Sequence, residues 1–104
     1  TIYDCEEATK QYLDIIEYYK NSSIDISIKP TQIGLKLDRE KCFELLSKIT
    51  SQAKQYGITI RLDMEDFSVT QDTIDMCLRI WKKNPNIGIA LQSNLYRTVN
   101  DLPI

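Results

Sequence analysis

The stretch "ITIRLDMEDFS", residues 58–68, decides how the rest of the chain is interpreted. From Ile58 to Leu62, apolar residues alternate with polar ones, which is the two-residue period of a β-strand with one buried face. The alternation ends in three carboxylates within four positions, Asp63, Glu65 and Asp66. Because like charges this close repel one another, the cluster either points into solvent or has a cationic or proton-exchanging neighbour.

Two other segments show the same alternation, "IDISIK" at residues 24–29 and "IGIALQ" at residues 87–92. A segment with helical periodicity precedes each of the three strands. The helices are predicted to run from Asp4 to Lys20, from the N-cap Asp38 to Gly57, and from a cap at Ser68 to a stop at Asn84. Strands and helices that alternate through short connections indicate right-handed βαβ crossovers and a parallel sheet.

Each predicted helix has an apolar stripe that should face this sheet. The stripes consist of Ala8, Tyr12, Ile15, Ile16 and Tyr19 in the first helix, Leu45, Leu46, Ile49, Ala53 and Tyr56 in the second, and Ile74, Cys77, Leu78 and Trp81 in the third. The helices are therefore expected to cover one face of the sheet.

The other face of the predicted sheet is polar, since it carries residues such as Asp25, Ser27 and Arg61. Doubly wound sheets, which are covered on both faces, have almost continuously apolar strands, so this face suits a barrel interior or solvent. A complete (βα)8 barrel takes about 250 residues. We therefore predict an α/β fold in which residues 1–104 form one incomplete segment, about three βα units, of a (βα)8 TIM barrel with two open sheet edges.

The polar side of each strand ends in a residue of functional type: Lys29, Asp63 and Gln92. In a parallel sheet these three residues would lie at the carboxyl edge, on adjacent strands. That edge is where α/β proteins bind their ligands. The strand ends are therefore the candidate site.

Composition excludes several classes of function. The 13 basic and 15 acidic residues are mixed along the chain, which leaves no electrostatic footprint for nucleic acid or an anionic membrane. No long apolar run or targeting signal is visible, so a soluble segment is expected. Three separated cysteines and no histidine indicate buried reduced thiols and no metal site. Acid–base chemistry would fall to carboxylates, lysine or tyrosine.

Three motifs, "ISIKPTQIGLKLD", "IRLDMEDFS" and "GIALQSNLYRT", resemble consecutive strand-end motifs of the proline dehydrogenase family, most closely its bacterial single-function members. The family consists of flavoenzymes on a distorted (βα)8 barrel. The resemblance implies FAD-dependent oxidation of L-proline to Δ1-pyrroline-5-carboxylate, with a quinone or the membrane electron-transfer chain as acceptor. It also implies a cytoplasmic location, with peripheral contact at the inner membrane as an option for electron delivery.

The resemblance assigns roles to four residues. Lys29 would contact the substrate carboxylate, and Asp63 would be the catalytic-site aspartate. Met64 would offer a backbone contact to the flavin, and Gln92 would hydrogen-bond the flavin ring. Further family contacts to flavin and substrate have no counterpart in these 104 residues, so the segment alone is expected to be inactive. Its expected partner is the remainder of the barrel, or a second copy through the open sheet edges.

Other interpretations stay open for several residues. Glu65 and Asp66 follow the strand, where capping of the next helix competes with catalysis. Tyr96 and Arg97 are second-tier candidates for a loop or gate. The alternative function is a non-catalytic, flavodoxin-like regulatory domain in which Asp63 accepts a phosphoryl group. Such domains need a lysine on a later strand than the aspartate, whereas Lys29 precedes Asp63.

Overall fold

The computed structural model describes residues 1–22, 24–64 and 69–90. Along the chain these residues form three α-helices, three strands and one short 3-10 helix. The elements are α1 (Ile2–Tyr18), β1 (Asp25–Ile28), the 3-10 helix (Pro30–Ile33), α2 (Arg39–Gln55), β2 (Thr59–Asp63), α3 (Thr70–Trp81) and β3 (Ile87–Ala90).

The three strands form one parallel sheet in the order β1-β2-β3. The register aligns Ile28 with Leu62, and Leu62 with Ile89. Helices connect the strands in sequence, so the predicted α/β fold with parallel strands is confirmed. This arrangement is consistent with a segment made of consecutive βα units.

The core lies between one face of the sheet and the helices. Its central side chains are fully buried and come from all three helices and from β1 and β2: Ile16, Ile28, Leu46, Ile49, Ile60, Leu62 and Ile80. The opposite face, here called the polar face, carries Asp25, Ser27, Thr59, Arg61, Asp63, Gly88 and Ala90. The expected division into an apolar and a polar face is therefore present.

Helix α2 matches its prediction closely. Asp38 is the N-cap, and its Oδ1 accepts a hydrogen bond of 3.1 Å from the Lys41 N–H. The predicted stripe is buried at Leu45, Leu46, Ile49 and Ala53, and Tyr56 is partly buried. The helix ends at Gln55 with Tyr56 as its C-cap, and the predicted stop Gly57 follows the cap with a φ of +71°, which is easy only for glycine.

Helix α1 begins earlier than predicted, because Thr1 is its N-cap and Asp4 its third residue. Thr1 Oγ1 accepts from the Asp4 N–H and Asp4 Oδ2 accepts from the Thr1 amino group, each at 3.2 Å. The predicted start at Asp4 is therefore wrong, since the capping box begins three residues earlier, at Thr1. Part of the predicted stripe is also wrong, because Ile15 and Tyr19 are exposed.

Helix α3 presents a different face from the predicted one. Its buried residues are Thr73, Met76, Cys77 and Ile80. Of the predicted stripe, Cys77 is buried, whereas Leu78 and Trp81 are more than half exposed. The two stripes share the helical period and are offset by about one residue, so periodicity alone does not choose between them. The predicted cap, Ser68, lies outside the described residues, and the N-cap of the helix is Val69.

The connection from α3 to β3 is tied to α2 and β2 by two asparagines. The buried Asn84 donates from Nδ2 to Thr50 Oγ1 and Ser51 Oγ, both at 3.0 Å. Asn86 donates from Nδ2 to the Thr50 and Ile58 carbonyl oxygens, also at 3.0 Å. The sequence predicts this segment only as a helix stop, yet it also holds the sheet against α2.

The three cysteines are free and buried, as predicted. Burial raises the pKa of the Cys42 thiol to about 12, and burial also raises the pKa of Cys77. A thiolate is the reactive form of cysteine, so at neutral pH these two side chains act as small apolar groups.

Candidate functional site

The end of β1 is a tight turn that presents Lys29. This residue is extended, with φ −89° and ψ 113°, as expected before proline, because the ring of Pro30 disfavours a helical conformation at the preceding position. The 3-10 helix starts at Pro30 and closes at Gly34, whose φ of +100° requires glycine. The Leu35 N–H donates to the Pro30 carbonyl at 3.2 Å. The turn leaves Lys29 exposed at the carboxyl edge of the sheet.

The backbone of Lys29 is hydrogen-bonded on both sides. Its N–H donates to Tyr12 Oη at 3.4 Å, and its carbonyl accepts from the Gln32 N–H at 3.0 Å. Tyr12 Oη in turn donates to Gln32 Oε1 at 2.5 Å. The sequence predicts Tyr12 only as a residue of the buried stripe of α1; its contact with the strand end was missed, because the helical pattern does not show which strand end a tyrosine reaches.

Asp63 is the last residue of β2 and lies level with Lys29. Ile28 pairs with Leu62, and Lys29 and Asp63 are the residues that follow them. The register therefore places Lys29 and Asp63 at the same level along the two strands. Asp63 is partly exposed on the polar face and pairs in register with Ala90. The prediction that Lys29 lies one strand away from Asp63 therefore holds in the structure.

The two opposite charges do not form an ion pair with each other. Among the described residues, no contact within 4.0 Å joins Lys29 Nζ to the Asp63 carboxylate. The other two charged residues of this face are paired, because Arg61 Nε donates to Asp25 Oδ2 at 2.8 Å. Within residues 1–22, 24–64 and 69–90, neither Lys29 nor Asp63 has an ion-pair partner.

Met64 follows Asp63 and is fully buried. Its backbone N–H donates to the Ala90 carbonyl at 3.1 Å and extends the pairing between β2 and β3. Because this N–H is already used, a backbone contact of Met64 with the flavin would have to involve its carbonyl, and this contact stays a prediction.

The surface beside Asp63 is open and lined by small residues. Gly88 and Ala90 of β3 lie on the polar face, and a Cβ added to Gly88 would meet no atom of the described residues within 4 Å. A flat ring system can approach such a surface without displacing side chains. The described part of the site is therefore compatible with the predicted flavin.

Several predicted site residues lie outside the described residues. They are Gln92, Glu65, Asp66, Tyr96 and Arg97. Gln92 comes two positions after Ala90 in the sequence, and its role stays a prediction. In residues 1–22, 24–64 and 69–90, no group of three or more histidine, cysteine or acidic residues could hold a metal ion. The same part of the chain contains no helix long and apolar enough to cross a membrane.

Comparison with known proteins identifies relatives of the chain. It is 35% identical over 97 residues to proline dehydrogenase 1 of Bacillus subtilis (strain 168), an alignment that covers 93% of this chain and 32% of that protein. It is 33% identical over 97 residues to proline dehydrogenase 2 of the same strain, with 93% and 31% covered. The predicted resemblance is confirmed. The chain spans about a third of the length of these curated relatives. No family model matches it.

Proposed function

We propose that the protein containing this chain oxidises L-proline to Δ1-pyrroline-5-carboxylate with FAD, and that residues 1–104 form a segment of its (βα)8 barrel. The observation that carries the proposal is the pair of opposite charges, Lys29 and Asp63, which have no ion-pair partner among the described residues and lie level with each other at the carboxyl edge of a parallel sheet. Both residues lie in the motifs on which the resemblance rests. The similarity to two proline dehydrogenases supports the same assignment.

The charges of Lys29 and Asp63 complement those of the substrate. L-Proline carries a carboxylate and, at neutral pH, a cationic ring nitrogen, so it presents the opposite charges a short distance apart. Lys29 binds the carboxylate as a mobile point charge. Asp63 attracts the ring nitrogen, and the two contacts together fix the orientation of the ring.

The oxidation also requires the cationic ring nitrogen to lose one proton, which passes to solvent water before the hydride leaves. When bound, FAD supplies the oxidant that takes a hydride from the ring carbon next to the nitrogen. Asp63 acts mainly by orienting the substrate and by stabilising positive charge at the nitrogen, which increases as the hydride leaves. The Met64 carbonyl and the Gln92 amide are the proposed flavin contacts of this segment, because an amide both donates and accepts hydrogen bonds.

The remaining partners follow from the same proposal. The electron acceptor is a quinone or the membrane electron-transfer chain, which the cytoplasmic protein would reach at the inner membrane. Additional barrel strands would cover the open edges of β1 and β3. The flavodoxin-like alternative is less well supported, because a doubly wound domain covers both faces of its sheet, whereas Asp25, Ser27 and Arg61 of the polar face are exposed.

The test is flavin reduction in the full-length protein. L-Proline should bleach the flavin absorbance, and Lys29→Ala and Asp63→Ala should each lower kcat/KM roughly 10- to 150-fold, since a hydrogen bond to a charged group contributes about 1.5–3 kcal/mol. Lys54→Ala and Asp14→Asn, which change exposed residues on the helices, are the matched controls. Unchanged kinetics in both site variants would refute the site assignment.

A further inference from the structure

A closed ring of hydrogen bonds surrounds the end of β1. The Lys29 N–H donates to Tyr12 Oη, Tyr12 Oη donates to Gln32 Oε1, and the Gln32 N–H donates back to the Lys29 carbonyl. The distances are 3.4, 2.5 and 3.0 Å in that order. Each of the three residues therefore restrains the other two.

This ring joins two elements that are far apart in the sequence. Tyr12 comes from the middle of α1, whereas Lys29 is the residue before the 3-10 helix and Gln32 is its third residue. Pro30 already restricts the conformation of Lys29 from within the turn. Tyr12 adds a restraint from outside the turn, and this restraint determines where the Lys29 backbone lies relative to α1.

We propose that Tyr12 is a positioning residue that orients Lys29 toward the substrate carboxylate; this inference rests on the proposed function. A lysine side chain is long and flexible, so it loses conformational entropy when its ammonium group binds a ligand. This loss is smaller when the backbone of the lysine is already fixed. Tyr12 does not itself touch the substrate. It acts through the strand end.

A purely structural role for Tyr12 makes a different prediction. The Tyr12 ring is partly buried and packs against the core. Tyr12→Phe retains this ring and removes only the hydroxyl group, which is the atom that contacts Lys29 and Gln32. If the hydroxyl served stability alone, its removal would lower the melting temperature without a selective effect on substrate binding.

The experiment is a double-mutant cycle in the full-length flavoprotein with L-proline as substrate. Tyr12→Phe should raise KM roughly three- to tenfold, the effect of about one hydrogen bond, with kcat changed less than about twofold. In a Lys29→Met background the same change should have no further effect on KM, because the group that Tyr12 positions is gone. An equal rise of KM in both backgrounds, or no rise in the wild-type background, would overturn the proposal.

Tyr56→Phe is the matched control. Tyr56 Oη donates to Glu17 Oε2 at 2.7 Å, so this variant also loses one tyrosine hydroxyl bond between two helices, away from Lys29. Its KM should equal that of the wild type. Gln32→Met is the second variant, which keeps Tyr12 and breaks the ring at another point, and it should raise KM in the same direction by a smaller factor.

Flavin bleaching by L-proline in the wild-type protein distinguishes a failure of the proposed function from a failure of the positioning role of Tyr12. If L-proline does not bleach its flavin, the proposed function fails. If L-proline bleaches the wild type and Tyr12→Phe has an unchanged KM, the function stands and the positioning role of Tyr12 is refuted.

Discussion

The ends of β1 and β2 carry the two charged residues of the proposed site, but the chain fixes them in different ways. After β1 it turns at once through Pro30 and Gly34, and Lys29 is held by hydrogen bonds at the turn. After β2 it continues along the sheet, where the Met64 N–H donates to the Ala90 carbonyl. The position of Lys29 thus depends on the local geometry of the turn and on one contact from Tyr12, whereas that of Asp63 depends on packing and pairing within the sheet.

Because of this difference, the sequence contains a local signal for the end of β1 and none for the end of β2. A proline and a glycine four residues apart, Pro30 and Gly34, are recognisable signals of a turn in the sequence. Strand pairing leaves no comparable local signal, because it depends on which strands become neighbours. Substitutions at the two ends should therefore destabilise the protein by different mechanisms and to different extents.

The largest loss of stability is expected for a substitution at Leu62, the residue before Asp63. Leu62 is fully buried, so Leu62→Ala should lower the free energy of unfolding by about 2–5 kcal/mol through lost burial and a cavity. Urea denaturation followed by circular dichroism measures this. Thr59→Ala, on the polar face of the same strand, is the control and should cost less than about 1 kcal/mol. Equal losses in the two variants would show that β2 is not anchored by its buried face.

The turn at the end of β1 should be less sensitive. Gly34 has φ +100°, so Gly34→Ala should cost about 1–3 kcal/mol in backbone strain. Contact adds little, since the new Cβ would lie 3.5 Å from Cys5 Sγ, an ordinary separation. Gly88→Ala, where a Cβ meets no atom of the described part of the chain within 4 Å, is the control and should be neutral or slightly stabilising. The two melting temperatures test this, and equal values would argue against strain at Gly34.

A smaller effect is expected from the ion pair on the polar face. Arg61 and Asp25 join β2 to β1, but their side chains are 48% and 46% exposed. Arg61→Ala should therefore lower the free energy of unfolding by only about 0–1 kcal/mol. Raising the salt concentration should reduce the difference from the wild type. A loss as large as that of Leu62→Ala would mean that this face is more buried than its exposure indicates.

The smallest effect is the pH dependence of stability that comes from the ion pair of Glu40 and Arg79, which lies away from both strand ends. Hydrogen bonds from the Arg79 guanidinium lower the pKa of the Glu40 carboxyl below its usual value of about 4.5. The ion pair therefore stabilises the fold above that pH and loses its contribution as the pH falls through the lowered pKa. Glu40→Gln should reduce the melting temperature slightly at pH 7 and leave it unchanged in strong acid. A difference that grows on acidification would contradict this sign.

Prediction from the sequence was accurate for the strands and for α2 and poor for the face of α3. Asp38 and Gly57 flank α2 and fix its ends through local backbone chemistry, and its predicted stripe is buried at Leu45, Leu46, Ile49 and Ala53. Helix α3 offers two apolar stripes, and the sequence favours the one with Leu78 and Trp81, which are exposed. The choice depends on how α3 lies on the sheet, which no local pattern specifies.

The sequence by itself determined the order of strands and helices, the polar face of the sheet and the identity of the candidate residues Lys29 and Asp63. These follow from two-residue and helical periods, capping residues and recognisable motifs, all of which act over a few neighbouring positions. Only the tertiary structure decided that Tyr12 holds the end of β1 and that Asn84 ties the α3–β3 connection to α2. Such contacts join residues 17 and more positions apart, and their geometry exists only after the helices have packed on the sheet.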